Sequence, residues 1–421
     1  MPVRKLYRRA TAVHPELPLY LLALTLLAGS DGLVANVYDN YIWHQFHFQP
    51  QGRGDLELIR EFPGLLNVAL LAIFACMKET RVAAIAAGVA AVGMAGFGIK
   101  GDNVWLMFGY TLLWSTGTHM IMPLSSSLTM ELGGETKKGR RLGQVSAVRT
   151  VGSVIGAAVV WLVFGEAKVS GGAQTWQFNL TFFLGAATAC AAGFAFLAIR
   201  SVGSAAERPK FVLNGRYWLY YVLNILWGAR KQVFLTFGRW VLVTVFLQQP
   251  TTFAVLAIVG AVAAIGFNPL VGHLVDRWGE RRVLVADSVL TVVVCLGYAG
   301  AQHVGSSDRG ALAVVIVCFV ADGILMATGL ARDTYVAKTA PNRDELVATL
   351  SMGVTINHLV SMTVPRYGGM LWKRRGYESV FLVAAGLAVL NGIMSGMIRV
   401  PKRVADRSVC AGETTALPEE P

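Results

Sequence analysis

Residues 272–282 read Gly-His-Leu-Val-Asp-Arg-Trp-Gly-Glu-Arg-Arg and separate two long apolar segments. Gly279 permits a tight turn between antiparallel helices, and we expect Gly272 to let the first helix approach a neighbour closely. The carboxylate of Asp276 suits a neighbouring helix N-terminus, and the arginines beside it can pair with it or bind lipid headgroups. Arginine anchors alone would need neither the glycines nor the aspartate, so the stretch indicates a specific turn between two membrane-spanning helices.

Apolar segments of helical length extend from this turn in both directions along the chain. The chain has 421 residues, of which 54% are hydrophobic and 15% charged, whereas soluble domains contain about 25% charged residues. Twelve membrane helices of about 20 residues take about 240 residues, and the remainder suffices only for loops and tails. The segments lack the alternation of a membrane β-barrel, so we predict an all-α integral membrane protein with twelve transmembrane helices. We place these at about 18–41, 57–77, 81–99, 104–127, 143–165, 178–199, 217–246, 252–275, 282–302, 310–330, 344–371 and 377–399.

The basic residues predict the orientation of these helices. With twelve helices both termini lie on one side, and the loops on that side carry more than three times as many lysines and arginines as the opposite loops. The count treats Arg332 as a residue of these loops and Arg53 as one of the opposite loops. The positive-inside rule then puts both termini in the cytoplasm and accounts for the net charge of +12 without nucleic acid. We predict a multi-pass protein of the cell (inner) membrane, in contact with the lipid bilayer; the basic cluster at 373–375 is an exception on the outer side.

The most polar internal stretch divides the chain into two sets of six predicted helices. We assign residues 1–199 to an N-terminal half and residues 217–400 to a C-terminal half. Between them, residues 200–216 form a predicted cytoplasmic linker, and residues 401–421 form a polar tail that we expect to be disordered.

Motifs of nucleotide, metal and catalytic chemistry are absent from the sequence. The five cysteines form no CxxC pair, which argues against a thiolate metal site or a disulfide framework. There is no P-loop and no HExxH signature, and no plausible catalytic triad. We therefore expect no catalytic residue, no cofactor, no metal and no enzyme activity. We expect a monomer whose activity takes its energy from a gradient of substrate or ions.

The stretch at 272–282 resembles the G-x-L-x-D-R-x-G-x-R-R loop signature of the major facilitator superfamily. All its diagnostic positions match, and the stretch follows the second predicted helix of the second half, as in that family. The resemblance implies two six-helix halves that rock around a central site by alternating access. It also implies a charge-relay latch that holds the cytoplasmic side shut while the cavity faces outward. The implied latch residues are Gly272, Asp276, Arg277, Gly279, Arg281 and Arg282.

Other features depart from the family pattern. The corresponding loop of the first half, Lys78-Glu79-Thr80-Arg81, is an eroded version of the signature. The fourth predicted helix lacks the arginine, and the fifth lacks the Gly-Pro pair, that many antiporters of the family carry. These departures disfavour a multidrug/proton antiporter.

Ionisable residues lie deep inside several predicted helices. In the family that the turn resembles, the first, fourth, seventh and tenth helices line the central cavity, and each of them here carries such a residue. Ionisable groups in lipid usually face a water-filled cavity, although an interhelical pair or a snorkelling side chain explains any single one. Polar residues at the end of the first helix and in flanking helices complete the set. The candidate substrate-binding residues are Asp31, Tyr38, His119, Arg149, Arg230, Lys231, Asp322 and Asn357.

Two other polar positions are interpreted as structural. A lone histidine is more often a satisfied packing residue, so we do not include His358. Arg60 and Glu61 are adjacent in the second helix, and we expect them to neutralise each other.

The charge of the seventh helix bears on the substrate. Arg230, Lys231 and Arg239 lie within ten residues, and at about 100° per residue Arg239 falls opposite Arg230. Two unpaired bases near the midplane require an anion or an acid, so we predict a secondary transporter of a small anionic solute, with protons as coupling ion. If Asp31 and Asp322 pair with these bases, proton-coupled efflux or uptake of a neutral or cationic solute is the better prediction. A multi-span membrane enzyme or a channel is the alternative from another class.

Overall fold

The computed structural model describes residues 14–100, 102–132, 138–165, 172–200, 213–305 and 307–400. These residues are almost entirely helical, and no strand occurs among them. Nine helices within these ranges are long and apolar enough to cross a membrane, so the predicted all-α, multi-pass membrane protein is confirmed. Most of the predicted 200–216 linker and the whole 401–421 tail lie outside the described residues.

The helices fall into an N-terminal and a C-terminal group. The N-terminal group consists of α1 (Leu17–Phe46), α2 (Pro50–Leu65), α3 (Asn67–Ile73), α4 (Glu79–Lys100), α5 (Val104–Leu132), α6 (Lys138–Phe164) and α7 (Thr175–Ala198). The C-terminal group consists of α8 (Trp218–Val233), α9 (Arg239–Thr244), α10 (Pro250–Trp278), α11 (Glu280–Val304), α12 (Asp308–Leu325), α13 (Gly329–Thr339), α14 (Arg343–Arg375) and α15 (Tyr377–Gly396).

Three pairs of consecutive helices are joined by an irregular turn rather than by a loop. A π-helical turn, Phe234–Gly238, connects α8 to α9, and a 3-10 turn, Met326–Thr328, connects α12 to α13. Helix α2 gives way to α3 at Leu66, shortly after Pro63, whose missing N–H and bulky ring disturb a helical ladder. Each pair therefore continues as one irregular helix.

Two helix ends differ from the prediction and bring charge into the interior. Helix α2 begins at Pro50, seven residues before the predicted start. Proline suits the first turn of a helix, and the charged side chains near this start form ion pairs inside the protein. Arg53, predicted in an outer loop, is consequently buried at 3% exposure. Helix α13 extends to Thr339, so Arg332, predicted in a cytoplasmic loop, is also buried, at 7% exposure.

Small residues allow close backbone contact inside the N-terminal group. A Cβ atom at Gly32 of α1 would lie 2.7 Å from the carbonyl oxygen of Ser153 in α6, and one at Gly93 of α4 would lie 2.6 Å from that of Tyr110 in α5. Helices in a membrane associate through such packing, since lipid removes the hydrophobic driving force between them. In the C-terminal group, the stacked rings of Tyr298 and Phe381, 4.3 Å between centroids, join α11 to α15.

The two groups meet closely at one end of the bundle, the end at which α1 finishes and α2 begins. Gly54 of α2 lies against the carbonyl of Pro365 in α14, and a Cβ at Gly369 would lie 2.5 Å from the carbonyl oxygen of Pro50. The side chain of Asn40 donates to the carbonyl of Gln248 at 2.7 Å. Backbone contact therefore closes this end, which we call the closed end.

Candidate functional site

A cavity of about 540 Å³ lies between the two groups of helices. Its walls include Glu61, about halfway along the combined α2–α3 segment, and His119, about halfway along α5. From there it extends past Lys231 to Tyr220, near the first residue of α8, and along α14 to Leu350. The cavity thus runs from the centre toward the end opposite the closed end, which we call the open end.

Two cations of the C-terminal group share one indole beside the cavity. Lys231 Nζ lies 5.6 Å, and the guanidinium carbon of Arg332 lies 4.3 Å, from the ring centre of Trp227. Lys231 donates to Asn357 Oδ1 at 2.9 Å. Arg332 lies 3.7 Å from Asp333, yet its buried Nε and Nη1 atoms donate no hydrogen bond to the described protein. Buried donors without partners are costly, so this wall is suited to an anion.

The facing wall contains a carboxylate between two histidines. Glu61 forms an ion pair with Arg60 at 2.8 Å, as predicted. Its other carboxylate oxygen lies 3.1 Å from His358 Nδ1. His119 Nε2 lies 3.9 Å from the same oxygen of Glu61, and the two imidazole centres are 5.1 Å apart. His358 belongs to the C-terminal group and the other residues to the N-terminal group, so the cluster spans both.

A row of alternating charges continues from Glu61 toward the closed end. Along one face of α2, Arg60 pairs with Glu57 at 2.6 Å, and Glu57 pairs with Arg53 at 2.5 Å. Arg53 pairs with Asp39 of α1 at 2.8 Å, and Asp39 pairs with Arg239 of α9 at 3.1 Å. The row contains three acids and three bases. Charge is therefore balanced within it, as buried ion pairs require.

Behind the cavity wall, Arg230 forms a second buried cluster within the C-terminal group. Its guanidinium lies 2.9 Å from Asp322 and 3.2 Å from Asp287 of α11. All three side chains are at most 10% exposed. None of them lines the cavity, although Arg230 is next to Lys231 in sequence. The structure thus separates two neighbouring bases: one is enclosed by acids and one faces the cavity.

The remaining candidate residues lie elsewhere. Asp31 and Arg149 line a separate cleft of about 400 Å³ against Ala257 and Ala261 of α10. Tyr38 is buried in the N-terminal group, where its hydroxyl is 2.7 Å from that of Thr111. Of the eight predicted residues, the cavity brings together His119, Lys231 and Asn357.

The turn at 272–282 has the backbone that its glycine predicts. Gly279 has φ +81°, a conformation that other residues rarely adopt, and it separates α10 from α11. Asp276, Arg277, Arg281 and Arg282 are exposed and take part in no ion pair in the described residues. The predicted close approach at Gly272 is wrong, because no described residue of another helix comes within 4 Å of the position that a Cβ would occupy.

Several residues of this region were not predicted from the sequence as site residues. Arg53, Glu57, Arg60 and Glu61 follow helical-face spacing, and this signal could have identified a buried charged face if the start at Pro50 had been recognised. His358 gives no such signal, since its partners are about 240 to 300 positions away.

Comparison with known proteins gives a family match over part of the chain and a shared fold over most of it. A family model described as Major Facilitator Superfamily matches residues 232–415. A variant of the nucleoside transporter NupG has a TM-score of 0.71 at 15% identity, with 90% of this chain and 98% of that chain covered. The family match therefore covers the C-terminal part of the chain, and the shared fold covers most of it. Its fold is also similar to that of a D-xylose–proton symporter, with a TM-score of 0.68, 14% identity, and 92% and 98% of the two chains covered.

A third structure is similar to this chain: a POT family transporter in complex with 5-aminolevulinic acid has a TM-score of 0.69 and 12% identity, with 90% of this chain and 94% of that chain covered. No curated protein matches the chain in sequence. The family matched by residues 232–415 and the fold shared with these structures are those of membrane transporters.

Proposed function

We propose that the protein is a secondary carrier in which two six-helix halves rock around the cavity. Taking α2–α3, α8–α9 and α12–α13 as one irregular helix each gives six membrane helices in residues 1–199 and six in residues 217–400. The observation that carries the proposal is the cavity between the groups, which reaches one end while Gly54 and Pro365 close the other. Alternating access requires an end state of this kind.

The distribution of basic residues supports a cytoplasmic position for the open end and both termini, in the cell (inner) membrane. The state described here is then inward-facing. Asp276, Arg277, Arg281 and Arg282 lie at that end and form no ion pair with any described residue, which agrees with a latch that is released while the cavity is open to the cytoplasm. Gly272, Asp276, Arg277, Gly279, Arg281 and Arg282 remain our proposal for this latch.

We propose that the transported solute carries an anionic group. Lys231 and Arg332 provide two cations beside Trp227, and two buried donors of Arg332 have no acceptor among the described residues. Both acids that line the cavity are already engaged. Glu61 pairs with Arg60 and with His358, and Asp333 lies 3.7 Å from Arg332. Of the bases that the sequence nominates, Lys231 keeps this role, whereas Arg230 has two carboxylates of its own. His119 and Asn357 would contact the same solute from the other walls.

Binding to purified protein tests the anionic substrate. We expect a thermal-shift screen of carboxylates, phosphate esters, neutral sugars and amines to identify at least one anion as ligand. Lys231→Gln and Arg332→Gln should each weaken its binding about 10- to 100-fold, because hydrogen bonds to charged groups contribute about 1.5–3 kcal/mol. Arg366→Gln is the matched control, since Arg366 is half-exposed and lies outside the cavity. A neutral or cationic ligand that binds both variants as it binds wild type, with no anion bound, would establish the alternative solute class instead.

We also propose that transport is coupled to protons, with Asp31 as the coupling carboxylate. Asp31 lines a cleft between α1, α6 and the cross-group helix α10, so rocking of the halves changes its surroundings. In proteoliposomes, a pH gradient should drive accumulation of the bound solute by wild type, whereas Asp31→Asn should retain exchange at equal pH and lose accumulation. Accumulation by Asp31→Asn at the wild-type level would contradict the assignment.

A further inference from the structure

Three side chains from three separate helices converge at the inner end of the cavity. Glu61, His119 and His358 each present one ligand atom, and these atoms lie within 4.8 Å of one another. All three residues line the cavity, and all three side chains are at most 16% exposed. Two imidazoles and a carboxylate are the ligands that divalent zinc accepts in open sites.

The distances suit a single ion. Tetrahedral zinc with bonds of about 2.0–2.1 Å separates neighbouring ligand atoms by about 3.3 Å. The two separations from Glu61 Oε2 are 3.1 Å to His358 Nδ1 and 3.9 Å to His119 Nε2. Small side-chain rotations therefore suffice to bring the three atoms onto one ion.

Contacts around the cluster orient its members. His119 Nδ1 lies 2.9 Å from both the carbonyl and the hydroxyl oxygen of Ser115. The proton of this imidazole therefore sits on Nδ1, because the carbonyl can only accept, and the lone pair of Nε2 points toward Glu61. A histidine held in this way by a second shell is typical of metal sites.

Neighbouring groups leave room for the ion. Arg60 occupies one oxygen of Glu61 and leaves the other to the histidines. A Cβ at Gly64 would lie 2.6 Å from His119 Cδ2 and would also collide with the ring of His358, so glycine permits both rings to approach. Two acceptors, Glu61 Oε2 and His119 Nε2, face each other at 3.9 Å, a separation that a cation between them would stabilise.

We propose that Glu61, His119 and His358 form a binding site for a divalent transition-metal ion of the zinc class, with the fourth coordination position open to the cavity. The nearby cations Arg60 and Lys231 favour water, hydroxide or an anionic solute at that position. Since His358 comes from the C-terminal group, a bound ion would join both groups. The sequence excludes a metal only through the absence of short motifs, which says nothing of ligands from three distant helices.

Zinc binding to the full chain in nanodiscs tests the site directly and does not depend on transport or on the proposed solute. Calorimetry should give one Zn²⁺ per wild-type protein. Glu61→Gln, His119→Gln and His358→Gln should each weaken binding at least 100-fold, and Ser115→Ala about 10-fold, as second-shell changes do. His273→Gln is the control, because His273 is exposed on α10 and lies outside the cluster.

Ligand replacement separates a metal site from a structural one. His358→Cys keeps a zinc ligand and should retain Zn²⁺ binding and a Zn²⁺-dependent rise in melting temperature, whereas His358→Gln should lose both. Absence of Zn²⁺ binding by wild type would overturn the site, and so would equal binding by the histidine variants. A loss of the same size in His273→Gln would indicate binding elsewhere and would also overturn it.

Discussion

Replacement of Arg230 by glutamine will strongly destabilise the protein. Arg230 lies between Asp287 and Asp322, at 3.2 and 2.9 Å, and its side chain is 4% exposed. Removing one partner of a buried ion pair costs about 3–5 kcal/mol, because the remaining charge stays buried and unpaired. Here two carboxylates are left, and glutamine cannot neutralise either. We expect a markedly lower melting temperature in detergent and a reduced yield of monodisperse protein.

The adjacent residue provides the control for this prediction. Lys231→Gln removes the same charge one position away, but Lys231 faces the cavity and bonds an amide rather than an acid. It should change the melting temperature little. Combining Arg230→Gln with Asp287→Asn and Asp322→Asn should recover much of the lost stability. Equal melting temperatures for Arg230→Gln and Lys231→Gln would show that the buried cluster does not stabilise the fold.

Replacement of Gly54 by valine will shift the protein away from the state described here. The backbone of α2 touches the carbonyl of Pro365 at Gly54, so a side chain at this position has to push α2 and α14 apart. Opening this end favours closure of the other, because a side chain incompatible with one state biases a two-state equilibrium toward the other. The cavity should then become inaccessible from the open end.

Alkylation of a single cysteine measures this shift. In a background without the native cysteines, Val354→Cys places a thiol on the cavity wall, and a water-soluble maleimide should react at least about 10-fold more slowly when Gly54→Val is added, which corresponds to a shift of about 1.4 kcal/mol. Gly52→Val is the matched control, since a Cβ at Gly52 would meet only the Phe48 ring at an ordinary 3.6 Å. Equal slowing by both variants would show that the effect does not come from the contact with Pro365.

The fold was largely predictable because lipid imposes a simple rule. Apolar segments of helical length must form helices. Gly279 in addition indicated a tight turn between two antiparallel helices. The start of α2 was not predictable in the same way. The charges near its start are typical of a loop. The segment is a buried helix because Asp39 of α1 forms ion pairs with Arg53 and with Arg239 of α9.

The candidate site was predictable only in part, for a similar reason. A charge inside an apolar segment indicates a buried polar environment, and this holds for Arg230, Lys231 and Asp322. Which of them faces the cavity depends on Asp287, an acid of α11 that appears in the sequence as an ordinary residue near a helix start. Neither Arg332 nor His358 could be assigned to the cavity from the sequence. The length of α13 buries Arg332, and the packing of α14 against α2 brings His358 to Glu61, and both depend on the tertiary structure.

The charge row along α2 has a consequence for how a solute arrives from either side. Arg53, Glu57, Arg60 and Glu61 neutralise one another on one helix, so a cavity opened at the closed end would present almost no net field. The open end instead leads to Lys231 and Arg332, two cations beside which the cavity wall offers one acid, Asp333. Electrostatic attraction raises association rates and is screened by salt. An anion should therefore associate faster from the open end, with a rate that falls with ionic strength, whereas entry from the other end should depend little on salt.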